Sequence, residues 1–142
     1  MYMKSKKTNN GYVIRLDKGE EIISTLTKFC EENNICGSLQ GIGGVSLTEL
    51  GYLDVNSGKY INKTFDGKGE IFELLNLQGN VTILNNKSFV HIHLILGRED
   101  YSTFGGHLIK AIINPTCEIF LTTTDKLERK KDGVTGLNLI DI

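Results

Sequence analysis

The chain has 142 residues, with 16 basic and 17 acidic side chains, so its formal net charge is −1 at pH 7. This length suits one compact domain, 1–142, and a dedicated nucleic-acid-binding protein usually carries a clear positive excess that is absent here. No stretch approaches the roughly 20 apolar residues that a membrane helix requires. Residues 1–10 lack the hydrophobic core of a signal peptide, so we expect a cytoplasmic protein with no membrane partner.

The cysteines indicate a reducing environment. Cys30, Cys36 and Cys117 are odd in number, and no two of them form a Cys-x-x-Cys pair. This count and spacing favour neither a disulfide framework nor a thiolate zinc cluster. We expect all three thiols to be reduced and buried.

The first third of the chain predicts a strand, a turn and a helix. Residues 12–16 are rich in β-forming side chains and are followed by a turn signal at 17–19. Apolar residues then recur at helical spacing until an Asn-Asn stop signal. The helix is predicted over about 20–33, with acidic residues in its first turn.

The rest of the chain predicts strands. β-branched and aromatic runs bounded by turn signals occur at five places: 45–53, 59–65, 70–77, 89–96 and 117–123. The glycine-bounded segment 97–106 is predicted to be a loop, and Pro115 fits the entry to the last strand. One convincing helix among six or seven strands predicts an α+β fold with a mainly antiparallel sheet and one or two helices. The ends, 1–10 and about 126–142, are predicted to be flexible or peripheral tails.

Residues 41–44, Gly-Ile-Gly-Gly, resemble part of a phosphate-binding loop. The residues that follow are strand-like rather than helical, and Ser46 stands where the dinucleotide motif has its last glycine. A dinucleotide site is therefore rejected. The glycines are predicted to allow a bulge or close strand packing.

The three histidines are the most informative local feature, because His91, His93 and His107 all lie within seventeen residues. Strand alternation over 89–96 puts the first two on one face, about 7 Å apart at Cα, with aliphatic residues on the other. His107 can complete the set, because Gly105 and Gly106 let the backbone approach closely. Three imidazoles with a fourth position open suit a divalent transition metal, with zinc as the best match. The alternative is three ordinary polar side chains on a half-exposed sheet.

Acid–base partners are less sharply indicated. Glu73 has apolar neighbours in a predicted strand, where burial would make its carboxyl useful in catalysis. The alternative, a strand glutamate that faces solvent, is more common in proteins. Asp100 and Tyr101, in the predicted loop before His107, are candidates to line the site together with Gly105 and Gly106.

Basic residues collect near both ends of the chain. They are Lys4, Lys6, Lys7, Lys126, Arg129, Lys130 and Lys131. We interpret them as solvated side chains, because no aromatic interleaving or helix-turn-helix pattern accompanies them. In an oligomer they could bind phosphates in a salt-dependent way.

Six short motifs follow one another in a specific order, at 11–16, 41–45, 50–54, 72–80, 91–93 and 104–108. Together they resemble the PPC domain family (plant and prokaryote conserved) over nearly the whole chain. The segment 128–137 is similar to prokaryotic members, in which the domain stands alone.

The resemblance implies a mainly antiparallel α+β fold and a homotrimer, which would bury sheet surface that one copy leaves exposed. It also implies the family's usual description as a candidate DNA-binding protein, which derives largely from plant members. No Arg-Gly-Arg-Pro AT-hook occurs in this sequence, so autonomous binding to AT-rich DNA is not expected. The family's recurring histidines correspond to His91, His93 and His107, and its recurring glutamate corresponds to Glu73.

Three functions therefore stay open. The first is a DNA-associated or regulatory homotrimer that carries a three-histidine metal site without catalysis. The second is a metal-dependent enzyme that acts on a small molecule through metal-activated water. The third is a purely structural trimer. Whether the chain is an enzyme is left undecided by the sequence.

Overall fold

The structure, a computed structural model, describes residues 3–142 and contains one helix and nine strands in that range. In chain order the elements are β1 (Lys4–Thr8), β2 (Gly11–Asp17), α1 (Ile22–Asn33), β3 (Cys36–Asp54), β4 (Lys59–Asp66), β5 (Phe72–Leu84), β6 (Lys87–Gly97), β7 (Thr103–Thr124), β8 (Arg129–Lys131) and β9 (Asn138–Ile140). All pairings between these strands are antiparallel. The predicted α+β fold with a mainly antiparallel sheet is confirmed.

Seven strands form one sheet in the order β1-β2-β7-β6-β5-β3-β4. The two longest strands, β3 with 19 residues and β7 with 22, also pair with each other. The ladders β3–β5, β5–β6, β6–β7 and β7–β3 therefore close on themselves. Closure leaves β1 and β4 as the edge strands, and the exposed lysines of β1 are a common protection against edge-to-edge pairing.

Glycines bend β3 where it changes neighbours. Its register with β5 shifts between Gly41 and Gly43, and its register with β7 shifts between Gly43 and Val45. A Cβ built on Gly43 would lie 2.3 Å from the backbone oxygen of Thr116, so a larger residue would push the strands apart. The predicted bulge with close strand packing is confirmed.

The core lies between the inner face of the sheet and the helix. Alternation along β6 buries Ile92, Leu94 and Leu96 and turns His93 and Ile95 outward. The helix packs on β6 and β7 and adds its own apolar face, which consists of Ile22, Leu26, Phe29 and Cys30. The two faces of residues 89–96 are thus divided as the sequence predicted.

The helix begins two residues later than predicted. Glu21 is its N-cap, and the Glu21 carboxylate accepts hydrogen bonds from the second and third helical N–H groups at 3.0 and 2.7 Å. The first turn therefore contains no acidic residue, contrary to the prediction, because the carboxylate acts as a cap instead. The helix ends at Asn33 as predicted, and Asn34 follows in the left-handed region with φ 53°.

The strands are longer than the sequence predicts. The predicted loop 97–106 is reduced to a turn over 98–102, and Pro115 lies inside β7 rather than at its start. A Cβ built on Gly105 would lie 2.3 Å from the Leu94 backbone oxygen, so this glycine permits close pairing between β6 and β7. His107 is consequently a strand residue, and Gly105 and Gly106 are the strand residues directly before it.

The two predicted tails contain regular structure where the structure describes them. β1 pairs with β2, β8 pairs with β9, and β8 also contacts β5. The first two residues of the predicted N-terminal tail lie outside the described range. Across residues 3–142, no helix combines the length and the apolar character needed to cross a bilayer.

All three cysteines are buried and free, as predicted. Burial, with smaller effects from neighbouring side chains, raises the pKa of Cys30 and of Cys117 to about 12. Both thiols are therefore protonated at neutral pH and are poor nucleophiles or metal ligands.

Candidate metal centre

Two neighbouring strands bring the three histidines together. His93 and His107 are direct partners across the β6–β7 ladder, and His91 lies two residues earlier on the same face of β6. Each imidazole offers one nitrogen, and the three nitrogens lie within 4.8 Å of one another. The three side chains therefore converge within one chain, as the strand alternation and the glycines before His107 predicted.

The dimensions of the cluster are close to those of a metal site. The Nε2 atoms of His91 and His93 are 3.2 Å apart. In a tetrahedral zinc site with metal–nitrogen distances of about 2.0–2.1 Å, two ligand nitrogens are separated by about 3.3 Å. The ring centroids of the three imidazoles are 5.1 to 5.5 Å apart. One small ion therefore matches the spacing of the cluster.

One nitrogen of the cluster lacks a partner. Within residues 3–142, Nδ1 of His107 is the single buried side-chain nitrogen or oxygen without a hydrogen bond. Leaving a buried polar group unpaired costs about 1–3 kcal/mol, so such a group calls for an explanation. Membership of His107 in a metal site provides that explanation. The donor set of three histidines also fits a divalent transition metal.

The surroundings keep two of the imidazoles, those of His91 and His107, neutral. Burial, followed by the neighbouring His107, His93 and Arg129, lowers the pKa of His91 to about 4. Burial and then His93 also lower the pKa of His107. Because a metal binds the deprotonated nitrogen, both rings are in a binding-competent state at neutral pH.

β4 supplies one wall of the site. The Tyr60 ring stacks on the His107 ring, with 4.6 Å between centroids and 26° between planes. Gly51, the β3 partner of His107, makes room for this stack, because a Cβ there would lie 2.9 Å from Cδ1 of Tyr60. Tyr60 was not predicted from the sequence. Its available signal was Gly51, a glycine inside a strand, which often marks a close approach.

Arg129 of β8 supplies another wall. Its Nε donates to Oγ1 of Thr82 at 2.7 Å, and its Nη1 donates to the backbone oxygen of Asn138 at 2.8 Å. Its Nη2 donates to Oδ1 of Asn80 at 2.8 Å. The guanidinium carbon also lies 5.0 Å from the centroid of the Phe89 ring. The position of the guanidinium is therefore fixed by three hydrogen bonds and one aromatic contact.

The prediction that the basic residues near the C-terminus are solvated needs one correction. Lys130 and Lys131 are exposed, as expected, but Arg129 is half-buried. The reason is that the chain folds back onto β5, where the Ile83 N–H donates to the Leu127 backbone oxygen at 2.8 Å. This contact joins residues far apart in sequence, so composition alone did not reveal it.

The histidines open onto a small cavity. His91 and His107 line a volume of 220 Å³ whose other walls are Tyr60, Phe89, Arg129 and the tail segment 136–139. The tail contributes Leu137 and Leu139, so much of the wall is apolar. A metal on the histidines would therefore face a confined space with one fixed guanidinium.

The structure corrects the expectation that Asp100 and Tyr101 line this site. The ladder between the His93–His107 pair and the turn is four residues long, or about 13 Å at about 3.3 Å per residue. Asp100 instead lines a separate cavity of 710 Å³, and Tyr101 is 93% exposed. The connection is a tight turn at the far end of the hairpin, so both residues stay away from the histidines.

Glu73 is also separate from the histidines within one chain. It lies on β5 and is exposed, which matches the alternative of a strand glutamate that faces solvent. It lies five positions before Gln78, the β5 partner of His93, which is about 16 Å along the strand. The described chain therefore does not place this carboxylate beside the cluster.

Known proteins share the fold of this chain, and one of them is a metal-containing protein. Residues 3–125 match the Plants and Prokaryotes Conserved (PCC) domain, which is the PPC family named above. A putative DNA-binding protein from Bacteroides thetaiotaomicron is 33% identical, with a TM-score of 0.92, and the match covers 99% of this chain and 98% of that one. No curated protein shows significant similarity.

Two archaeal structures are similar over almost their whole length. A metal-containing protein from Archaeoglobus fulgidus is 32% identical, with a TM-score of 0.84, and the match covers 100% of this chain and 99% of that one. A plant- and prokaryote-conserved protein from Pyrococcus horikoshii is 31% identical, with a TM-score of 0.84 and coverage of 99% and 94%.

Proposed function

The chain belongs to the Plants and Prokaryotes Conserved domain family, and we propose that it is a metal-binding member of that family. In this proposal His91, His93 and His107 hold one divalent transition metal. The observation that carries it is the convergence of three imidazole nitrogens within 4.8 Å. The similar protein from Archaeoglobus fulgidus, which is described as metal-containing, supports the same assignment.

Zinc is the metal we propose. Zinc accepts neutral imidazoles in tetrahedral geometry, and three histidines leave its fourth position for water or another ligand. When bound there, zinc would supply a Lewis acid and would lower the pKa of a bound water. The chain's own contribution is to hold the imidazoles of His91 and His107 neutral, with His107 fixed by the Tyr60 stack. An enzymatic role has less support, because Glu73 lies about 16 Å along β5 from the cluster.

We propose the homotrimer as the functional assembly. Four large apolar side chains on adjacent strands form an exposed stripe: Ile42 (62% exposed), Leu75 (50%), Ile95 (46%) and Phe120 (61%). Contiguous exposed apolar surface of this kind marks interaction sites, and a cyclic assembly covers it in every copy. Light scattering tests the proposal. A trimer for the wild type and a smaller species for Phe120→Glu are expected, whereas a wild-type monomer at micromolar concentration contradicts it.

DNA-associated regulation is the second candidate. The description of the Bacteroides thetaiotaomicron protein favours it, and a trimer would present three copies of the exposed lysines of β1. The net charge of −1 and the missing AT-hook weigh against it. Titration of a DNA duplex at two salt concentrations separates the outcomes. Binding that vanishes near physiological salt would remove specific DNA recognition, because phosphate contacts alone are strongly salt-dependent.

The metal proposal is tested by zinc titration of protein prepared without a polyhistidine tag. We expect one zinc per chain by calorimetry and by elemental analysis after extensive dialysis. A chain that keeps no zinc under these conditions contradicts the proposal. The same measurement with cobalt, nickel and copper identifies the preferred metal, since affinity alone generally rises toward copper.

A further inference from the structure

Arg129 lines the histidine cavity with no carboxylate beside it. Its three acceptors are a hydroxyl, a side-chain amide and a backbone carbonyl, all of which are neutral. Within residues 3–142, the ion pairs involve other cations, and Arg129 takes part in none of them. A half-buried guanidinium without a compensating charge is unusual, because uncompensated buried charge is costly.

The guanidinium keeps donors for a ligand. Arginine has five N–H donors, and the three hydrogen bonds to the protein use one on each nitrogen. One N–H on each of Nη1 and Nη2 therefore remains. Because the side chain is already fixed by Thr82, Asn80 and the Phe89 ring, little conformational freedom is lost when a ligand binds.

The cavity limits the size and the character of that ligand. Its volume of 220 Å³ is smaller than the about 300–1,000 Å³ typical of drug-sized ligands and equals about seven water volumes of about 30 Å³ each. Phe89, Leu137 and Leu139 provide apolar walls. A ligand with one charged group and a short aliphatic part matches these surroundings.

We propose that this cavity binds a small carboxylate anion, which Arg129 recognises beside the metal held by the histidines. The inference rests on the proposed metal site, whose positive charge adds to that of Arg129. A planar carboxylate suits the fork of N–H donors on a guanidinium. A tetrahedral dianion such as phosphate suits the cavity less well, because its further oxygens would face apolar walls without partners.

The experiment compares butyrate with its neutral isostere butyramide on the zinc-loaded protein by calorimetry. We expect butyrate to bind and butyramide to bind at least about 10-fold more weakly, since hydrogen bonds to a charged group are the stronger ones. Arg129→Gln should weaken butyrate binding by about 10- to 100-fold. Lys131→Gln is the matched control, because it removes one positive charge from the same strand at an exposed position and should leave the affinity unchanged.

A second variant covers the possibility that glutamine loosens the tail. Arg129→Lys keeps the charge but loses the fork, so its butyrate affinity should fall between those of the wild type and Arg129→Gln. The inference is overturned if butyrate fails to bind the wild type, if Arg129→Gln binds butyrate as well as the wild type, or if butyramide binds equally. Phosphate that binds more tightly than butyrate would assign the cavity to tetrahedral anions and overturn the carboxylate.

Zinc content, measured first in each protein, separates this inference from the proposed function. Equal zinc content in wild type, Arg129→Gln and Lys131→Gln, with loss of butyrate binding in Arg129→Gln alone, supports the carboxylate site. If the wild type takes up no zinc, the metal proposal fails. Butyrate should then still bind that metal-free protein, and Arg129→Gln should still weaken the binding. If the metal-free wild type does not bind butyrate, the inference is overturned.

Discussion

The two ends of the β6–β7 hairpin each carry an arginine on an aromatic ring, and their surroundings differ in charge. Arg98 lies 3.9 Å from the Phe104 centroid, close to the turn. Arg129 lies 5.0 Å from the Phe89 centroid, near the start of β6. The cavity at Arg98 is also lined by four carboxylates, those of Asp66, Glu70, Glu99 and Asp100. The cavity at Arg129 is lined by two histidines and by no carboxylate.

This difference shows why cavity size alone does not locate the site. The cavity at Arg98 is the larger, 710 Å³ against 220 Å³, yet its cation already has acidic neighbours. The smaller cavity combines three convergent imidazoles with a cation that has no acidic neighbour. The chemistry of the lining side chains therefore favours the Arg129 end of the hairpin as the functional one.

Loss of a metal ligand should have the largest effect. His93→Ala leaves two imidazoles, and we expect zinc affinity to fall by at least about 100-fold, because changes to groups outside the ligand set alone cost about 10- to 100-fold. Calorimetry and elemental analysis measure this. Gln78→Ala is the matched control, since Gln78 is exposed and lies directly opposite His93 on β5. Unchanged zinc binding in His93→Ala would remove the metal assignment.

Loss of the buried acceptor of Arg129 should have the next largest effect. Thr82 is 0% exposed, and Thr82→Val removes the 2.7 Å hydrogen bond from Nε of Arg129. A hydrogen bond to a charged group contributes about 1.5–3 kcal/mol, so we expect a loss of that size in the free energy of unfolding, measured with urea. Thr123→Val is the control, because its hydrogen bond to Asn10 is exposed and neutral. Equal losses in both variants would contradict a fixed Arg129.

The metal-free protein should lose stability on mild acidification. His91 has a folded pKa of about 4, against about 6.5 for an unperturbed histidine, so the unfolded chain binds more protons between these values. Stability conferred by neutral His91 is therefore complete above about pH 6.5 and falls as the pH drops toward 4. Urea unfolding at pH 7, 5.5 and 4.5 measures it. His91→Asn should show a shallower decline, and an equal decline would contradict the pKa assignment.

The smallest effect is expected at the other end of the hairpin. Arg98→Gln removes cation–π contacts at a partly exposed site, which are worth about 0.5–1 kcal/mol. Zinc and butyrate affinities should stay at their wild-type values, because Arg98 lines the other cavity. A fall in either affinity, without unfolding by circular dichroism, would show that the two ends are coupled.

Local patterns in the sequence predicted the local parts of the fold. Alternation over 89–96 separated the buried Ile92 and Leu94 from the outward His91 and His93, because strand geometry fixes this division at short range. The closed ladder and the lengths of β3 and β7 were not predictable in this way, since they depend on pairing between distant segments. Gly105 was misleading because glycine suits a turn and a close strand approach equally well.

The part of the site that depends on short-range sequence patterns was also predicted, and the part contributed by distant strands was not. The three histidines are near one another in sequence, so strand alternation for His91 and His93 and the glycines before His107 could predict their convergence. Tyr60 and Arg129 come from β4 and β8, and their contacts arise only when these elements pack beside β6 and β7. Asp100 and Tyr101 were expected nearby because they precede His107 in a predicted loop, and the tight turn at the far end of the hairpin keeps them away.

X-ray diffraction at the zinc absorption edge, on crystals of zinc-loaded protein, shows whether the three histidines hold one metal ion. We expect one anomalous peak per chain, about 2.0–2.1 Å from one nitrogen of each of His91, His93 and His107. An absence of density at this position, or a zinc ion bound elsewhere while the three imidazoles contact only water or backbone, would contradict it.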